Sequence, residues 1–175
     1  MPTVSDTSPL IWLSKIGKLK LLKQLFGEIV VPEEVYGEAV EKGLEEGSGD
    51  ALVIKEAVEQ AWIRISTLDK EDREFTEKIT KYSPEIHLGE AQAIALSCRT
   101  QALLLMDESC GRAFAQTWGL KVRGTLYIIT KALKQGLLTN QEAKDSVLEL
   151  ISRGFRIEPK LLARILREIE HFKPQ

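Results

Sequence analysis

The sequence predicts an α/β protein, a three-layer α/β/α sandwich whose central sheet is mostly parallel. Short apolar segments of strand character alternate with segments of helical periodicity along the chain. The uninterrupted apolar run at residues 102–106 is typical of a strand buried on both faces of a parallel sheet. Gly119 and Gly136 end helices on either side of a further strand, so two strand-helix units follow one another.

Periodicity and helix-breaking residues place the individual elements. Predicted strands cover residues 2–4, 28–31, 63–67, 102–106 and 120–123, with a further candidate at 155–157. Predicted helices cover residues 9–16, 18–26, 32–42, 51–62, 69–81, 89–99, 108–118, 125–135, 140–153 and 159–172. Ser8 is predicted to cap the first helix and Pro9 to begin it, while residues 43–49 are predicted to form a polar, glycine-rich loop.

Length and composition favour one soluble globular domain. Hydrophobic residues make up 43% of the chain and charged residues 29%, which are ordinary globular values. No apolar run approaches the roughly 18 residues of a membrane span, and the N-terminus lacks a secretory signal, so we expect a cytoplasmic protein. The formal net charge of -2 means that any nucleic-acid binding must depend on a local basic patch. Cys98 and Cys110 are expected to be free thiols.

Four acidic residues stand where a predicted strand ends or along the helices that follow: Asp6, Glu38, Glu90 and Asp107. In open parallel sheets, ligands bind beyond the carboxyl ends of the strands, where strand order reverses. Carboxylates brought together at such an edge repel one another unless some are protonated or a hard cation neutralises them. The pattern therefore predicts a divalent-metal site assembled from distant parts of the sequence.

Each of these acids also has an ordinary structural explanation. Asp6 and Asp107 are suited to capping helices, and Glu90 to stabilising the N-terminus of its helix. Glu38 lies on a helix rich in glutamate and could simply be solvated. His87, three residues before Glu90, could contact substrate, but is expected to be an exposed loop residue. The joint pattern of four acids is stronger than any one of them.

Around these acids, four blocks resemble the motifs of the PIN-domain nucleases in order and spacing: SDTSPL at 5–10, VPEEVYGEAV at 31–40, LGEAQAIALS at 88–97 and LLLMDES at 103–109. The chain is more closely similar to a prokaryotic subgroup related to the VapC toxins, through the GEAxAIAL block and the pair Gly124 and Thr125. The resemblance covers roughly residues 3–130. It implies a single PIN-like domain at 1–175, in which residues 139–175 form a helical C-terminal extension.

The resemblance implies a metal-dependent endoribonuclease that hydrolyses RNA phosphodiester bonds, and the toxin of a toxin-antitoxin pair. Its catalytic residues and Mg²⁺ or Mn²⁺ ligands would be Asp6, Glu38, Glu90 and Asp107, because hard cations prefer oxygen donors. Candidate substrate contacts are Thr7, Ser8, Arg112 and Lys15, with Lys18 and Arg123 as further candidates for the RNA backbone. A solvated surface role is the alternative for these basic residues. Implied partners are RNA, a second copy of the chain in a homodimer and a small antitoxin protein.

Three positions depart from the PIN pattern. Glu90 stands where aspartate is more usual, Leu105 where threonine is usual, and Ser109 where a fifth acid often occurs. Glu108 is a candidate replacement for that fifth acid. A noncatalytic PIN-like module that binds RNA or protein is therefore the main alternative. A phosphoacceptor or phosphatase is a weaker one, because the segment SDTSP lacks the paired acids of those proteins.

Apolar residues outside the acidic blocks are predicted to build the core. Trp12, Trp62 and Trp118 are expected to pack there rather than to stack on bases. The last helix carries an apolar stripe at helical spacing: Leu161, Leu162, Ile165, Leu166 and Ile169. The stripe is predicted to cover the sheet, with a homodimer contact or a groove for a partner helix as alternatives.

Overall fold

A five-stranded sheet in which every neighbouring pair is parallel forms the centre of the molecule, in the order β3-β2-β1-β4-β5. The computed structural model describes residues 2–173. Its strands are β1 (Thr3–Ser5), β2 (Ile29–Pro32), β3 (Ile63–Ser66), β4 (Leu103–Leu105) and β5 (Val122–Arg123). The chain builds one half of the sheet outward from β1 and then returns to place β4 on its other side. Strand order therefore reverses between β1 and β4.

Helices pack on both faces of this sheet, which confirms the predicted α/β/α sandwich. They are α1 (Thr7–Lys15), α2 (Lys20–Phe26), α3 (Glu33–Tyr36), α4 (Gly43–Glu45), α5 (Gly49–Glu59), α6 (Lys70–Tyr82), α7 (Leu88–Thr100), α8 (Ser109–Thr117), α9 (Thr125–Lys134), α10 (Asn140–Ser152) and α11 (Pro159–His171). A π-helical segment, Gly37–Lys42, joins α3 to α4. The prediction of a single regular helix at 32–42 is corrected by this wider turn.

Alternating side chains of the strands divide the core into two layers. Ile29 and Val31 of β2 face the layer covered by α1, α2, α5 and the helices from α9 onward, whereas Val30 faces the layer covered by α6, α7 and α8. Leu104 and Leu105 of β4 divide in the same way. Burial on both faces explains why the strands are continuous apolar runs rather than alternating ones.

Three local predictions are wrong. Helix α1 begins at Thr7, with Asp6 rather than Ser8 at the N-cap position. The predicted loop at 43–49 starts with the short helix α4, which continues the π-helical segment. Residues 155–157 form no strand in the described part of the chain and instead link α10 to α11 as an extended segment.

The prediction that Trp118 packs in the core is also wrong, since 57% of its surface is exposed. It follows the last turn of α8 and contacts Phe75 edge-on, with ring centroids 4.7 Å apart. Trp62 is buried as predicted, and Trp12 is half-buried with its ring edge-on to Phe155. An aromatic cluster on the surface has the same helical spacing as a core position, so periodicity could not separate the two.

The apolar stripe of α11 packs mainly on α9 and α10, so helices rather than strands cover most of it. Ile165 and Ile169 are buried in the same cluster as Ile29 and Val31 of the sheet. The proposed boundary at 139 between a core and an extension stays a prediction, and residues 1, 174 and 175 lie outside the described residues. Within 2–173, no helix is long and apolar enough to cross a membrane.

A buried ion pair fixes α6 against α7. Asp72, only 3% exposed, accepts a hydrogen bond from Arg99 Nε at 2.8 Å and also completes a capping box with Asp69 at the start of α6. Arg99 reaches Asp69 as well, at 3.1 Å. Because the carboxylate of Asp72 is shielded from water, removing this guanidinium would leave it without a charged partner.

Replacing Arg99 by alanine should lower the free energy of unfolding by roughly 2–3 kcal/mol, because a buried carboxylate loses its charged partner. Urea denaturation measures the change. The matched control is Arg64→Ala, which removes an exposed pair with Glu28 and should change stability by less than about 1 kcal/mol. Equal effects of the two substitutions would contradict the role assigned to Asp72.

Candidate metal centre

The carboxyl ends of β1 and β4 form the floor of the candidate site. The backbone N–H of Asp6 donates to the carbonyl of Leu105 at 2.9 Å, which ties the end of one strand to the end of the other. Asp6 is 3% exposed, and although it occupies the N-cap position of α1, its side chain makes no capping hydrogen bond. The sequence placed Asp6 at the point where strand order reverses, and the observed topology agrees.

Glu38 reaches the same edge from the π-helical segment Gly37–Lys42. Its Oε2 accepts a hydrogen bond from Thr7 Oγ1 at 2.5 Å, so the residue after Asp6 holds the carboxylate of Glu38 in place. Short π segments are frequent at functional sites, where they redirect a side chain that a regular helix would place elsewhere. Glu38 is half-buried, so the solvated-surface explanation does not describe it.

Glu90 enters from the first turn of α7 and is 7% exposed. Its Oε2 is buried and has no hydrogen-bond partner among the described residues. A carboxylate oxygen without a donor is costly in a buried site, because burial removes its water without replacing it. This oxygen is the strongest local indication that the pocket is built to hold an additional group.

Asp6, Glu38 and Glu90 line one cavity of about 430 Å³, together with Thr7, Ser8, Ile11, Trp12, His87 and Glu108. The three predicted acids therefore share a pocket although 84 positions separate the first from the last in the sequence. Glu108, at the N-cap of α8, adds a fourth carboxylate at the exposed rim. His87, at the N-cap of α7, adds the only imidazole among the residues that line this cavity.

Burial and mutual repulsion disturb the titration of this pocket. Burial raises the pKa of Asp6 to about 7, and the charges of Glu90 and Glu38 add to the increase, while the backbone N–H of Thr7 opposes it. Burial also raises the pKa of Glu90, with the nearby His87 acting in the opposite direction. Carboxyl groups that hold protons this strongly would release them to a cation bound among them.

Asp107 lies at the same sheet edge but does not line this cavity; it lines a separate groove together with Arg112 and Gly124. Its Oδ1 accepts the backbone N–H of Thr125 at 2.8 Å, and its Oδ2 accepts hydroxyl bonds from Thr125 at 2.6 Å and from Ser8 at 3.1 Å. Glu108 rather than Asp107 occupies the N-cap position of α8, and its side chain makes no capping hydrogen bond. Asp107 therefore accepts the hydrogen bonds of the first residue of α9, and its hydrogen bond from Ser8 connects it to the shared pocket.

A glycine stands beside each of three acids, where a side chain would collide with the carboxylate. A Cβ on Gly89 would lie 2.9 Å from Glu38 Oε1. One on Gly111 would lie 3.1 Å from Glu90 Oε2 and 2.7 Å from a Met106 sulfur, and one on Gly124 would lie 2.6 Å from Asp107 Oδ1. These three glycines belong to the starts of α7, α8 and α9, so three helices bring their first turns against the acids.

The four predicted substrate contacts have defined positions. The hydroxyls of Thr7 and Ser8 donate to Glu38 and Asp107, so each orients an acid. Arg112 donates from Nη1 to the carbonyl of Met106 at 3.0 Å and lies beside Asp107. Lys15 stacks over the ring of Trp12 at 4.9 Å. Their contact with RNA stays a prediction.

Sequence analysis missed two contributors to the site. Thr125 was noted only as part of a family pair, yet it makes two hydrogen bonds to Asp107. His87 is exposed, as expected, but it lies at the N-cap of α7, lines the cavity and opposes the increase in the pKa of Glu90. The sequence did contain a signal for Thr125. Gly124 and Thr125 begin the helix after β5, and that helix starts at the same sheet edge as the acids.

The donor set fits a hard divalent cation, but the side chains do not form a complete cage. Among residues 2–173, no three His, Cys, Asp or Glu side chains are arranged to hold one ion. Asp6, Glu38 and Glu90 supply carboxylate groups around one cavity, and one oxygen of Glu90 has no hydrogen-bond partner among the described residues. Rotation of these side chains within the pocket would be needed for shared coordination.

Comparison with known proteins identifies the family. A family model described as a PIN domain, DUF3368, matches residues 2–171. The match extends over nearly the whole chain, so the protein belongs to this family of PIN domains, whose fold is of the nuclease type. No curated protein matches the chain.

Stability of the metal-free protein should fall as pH rises from about 4 to 7. The pKa of Asp6 is about 7 in the folded protein and 3.8 ordinarily, so the folded state holds a proton that the unfolded state has lost in this window. The difference corresponds to at most about 4 kcal/mol. Denaturation in EDTA at a series of pH values measures it.

The substitution Asp6→Asn should remove most of this slope and stabilise the protein at neutral pH. Asp145→Asn, at an exposed carboxylate on α10, is the matched control and should leave the slope unchanged. A stability that does not decrease between these pH values would show that Asp6 ionises freely.

Replacing Thr125 by valine should destabilise the protein by about 1.5–3 kcal/mol, because the carboxylate of Asp107 loses a hydroxyl donor while the shape of the side chain is kept. Thr125→Ser retains the hydroxyl and should recover most of the loss. Thermal unfolding compares the two, and equal destabilisation by valine and serine would assign the effect to packing alone.

Proposed function

We propose that this PIN-domain protein is a metal-dependent endoribonuclease that hydrolyses RNA phosphodiester bonds in the cytoplasm. The observation that carries the proposal is the shared cavity of Asp6, Glu38 and Glu90 at the reversal of strand order. One carboxylate oxygen of Glu90 is also buried without a hydrogen-bond partner among residues 2–173. Membership in a family with a nuclease-type fold supports the reaction class.

Asp6, Glu38 and Glu90 would hold Mg²⁺ or Mn²⁺. Asp107, which is hydrogen-bonded to Ser8 next to this cavity, would be a further ligand. A hard divalent cation supplies charge that binds the scissile phosphate and lowers the pKa of an attacking water. Thr7 and Ser8 position the acids on either side of Asp6, since one hydroxyl donates to Glu38 and the other to Asp107. His87 and Glu108 line the exposed rim of the same cavity.

The resemblance to the VapC-related subgroup extends the proposal to the toxin of a toxin-antitoxin pair. Under this proposal the chain forms a homodimer and is inhibited by a small antitoxin protein. Induced expression in a bacterial host should then arrest growth, and the Asp6→Asn variant should not. Light scattering after size exclusion measures the oligomeric state independently.

A noncatalytic RNA- or protein-binding module is the second candidate, favoured by one observation. Asp107 already accepts three hydrogen bonds from the protein, which leaves it less need of a metal than a free carboxylate. Calorimetric titration with Mn²⁺ discriminates, because a noncatalytic module without a metal site should show no binding heat and no cleavage.

Glu38→Gln, Asp6→Asn and Asp107→Asn should each reduce Mn²⁺-dependent cleavage of a labelled single-stranded RNA to background, because each removes a charge from the metal-binding acids. The matched control is Glu41→Gln, an exposed carboxylate in the same π-helical segment as Glu38. Its cleavage rate should equal that of the unmodified protein, and EDTA should abolish both.

Circular dichroism should show unchanged helix content in all four variants. Undiminished cleavage by folded Asp6→Asn protein would refute the proposed site. A loss of cleavage in Glu41→Gln as large as in Glu38→Gln would show that general negative charge, rather than this pocket, is responsible.

A further inference from the structure

A second groove begins at Asp107 and runs between α9 and α11. Its volume is about 520 Å³, within the roughly 300–1,000 Å³ of sites that accept ligand-sized molecules. It is lined by residues from the start of α8, from α9, from the extended segment that links α10 to α11, and from one face of α11. Because Asp107 forms one end, the groove is continuous with the edge of the sheet that carries the acids.

Four arginines line this groove: Arg112, Arg123, Arg156 and Arg164. The acidic residues on its walls are Asp107, Glu158 and Glu168, and Lys134 neutralises Glu168 through an ion pair of 2.5 Å. Apart from Asp107 at the catalytic end, Glu158 is therefore the one acid on the walls without such a partner among residues 2–173. The protein as a whole is slightly acidic, so this concentration of arginine is local rather than a consequence of composition.

The arginines toward the outer part of the groove are available to a ligand. Arg156 and Arg164 are exposed, and neither forms an ion pair in the part of the chain that the structure describes. Arg164 lies on the same face of α11 as Leu161, Ile165 and Glu168, which have the spacing of one helical stripe. Arg167 is on a different face and does not line the groove.

Two half-buried aromatic side chains, Tyr127 and Phe155, line the groove together with these arginines. Tyr127 of α9 stacks against the guanidinium of Arg123, 5.1 Å from the ring centroid, and Phe155 contacts Trp12 edge-on at 5.3 Å. Trp12 in turn lines the cavity that holds Asp6 and Glu90. Ring faces beside guanidinium groups are the combination by which proteins bind unpaired bases and their phosphates. A duplex would not offer its bases to such faces.

We propose that the groove between α9 and α11 is the path of single-stranded RNA leading away from the cleavage site. Arg112 and Arg123 would bind phosphates next to Asp107, while Arg156 and Arg164 would bind phosphates further out. Tyr127 and Phe155 would support the bases between them. The inference rests on the proposed ribonuclease function for the identity of the strand, whereas the charge and shape of the groove stand independently of cleavage.

The test compares two double variants of the full chain. Arg156→Gln with Arg164→Gln removes two charges inside the groove. Arg153→Gln with Arg167→Gln removes two exposed charges close to these positions in the sequence but outside the groove; Arg153, at the end of α10, is paired with Glu149. Binding to a fluorescent single-stranded RNA of about 12 nucleotides is measured by anisotropy in EDTA, so that no cleavage occurs. Cleavage with Mn²⁺ is measured separately.

The groove variant should bind roughly 20-fold more weakly at about 0.1 M salt, and the slope of log affinity against log salt should fall by about 1.4, which corresponds to two lost phosphate contacts. The control variant should stay within about twofold of the unmodified protein. In cleavage, kcat/KM should fall with binding while kcat at saturating RNA changes little, because the arginines hold the strand rather than act at the reacting phosphate.

The outcomes separate the two proposals. If the unmodified protein cleaves RNA and the two double variants bind and cleave equally, the groove assignment is wrong and the ribonuclease stands. If none of the proteins cleaves but the groove variant still binds more weakly than the control, the groove stands and the ribonuclease proposal fails. Tighter binding of a duplex of equal length would overturn the assignment to a single strand.

Discussion

Repulsion among buried carboxylates is the constraint on which the functional end of this protein depends. Asp6, Glu38 and Glu90 occupy one cavity, and Glu90 has an oxygen without a partner. The hydrophobic layers on both faces of the sheet stabilise the fold enough to hold these groups together, although each would be better solvated alone. Burial raises the pKa of Asp6 and of Glu90, which favours their protonated forms, and the chemistry of the donors suits a hard cation.

The reversal of strand order explains how residues so distant in sequence converge. Placing β4 beside β1 leaves a crevice at their carboxyl ends, and the first turns of α1, α7, α8 and α9 all open toward it. Backbone N–H groups at the starts of helices favour negative charge. The acids therefore lie at the same edge as helix N-termini, whose donors partly offset their negative charge. The hydrogen bonds from Thr125 to Asp107 are an example.

Sequence patterns were most informative where one physical cause dominates. Burial on both faces gave β4 its apolar run, and the acids at strand ends followed from the sheet architecture. Patterns failed where neighbours decide the outcome. The π-helical segment that carries Glu38 has an ordinary helical sequence. The segment 155–157 alternates apolar and charged residues as a strand would, but it lines a groove instead, and Trp118 packs in a surface cluster. The hydrogen bonds of Thr7 and Ser8 to acids 31 and 99 positions away depend on tertiary contacts alone.

The glycines beside the acids affect how related chains should be judged. A methyl group on Gly89 would meet only the flexible end of Glu38, which can swing aside with little loss of stability. A homologue with alanine there could keep every acid and fold normally, yet present a rearranged pocket. Inspecting the acids alone would class such a protein as an intact nuclease, so the small residues opposite them need to be checked whenever activity is inferred across this family.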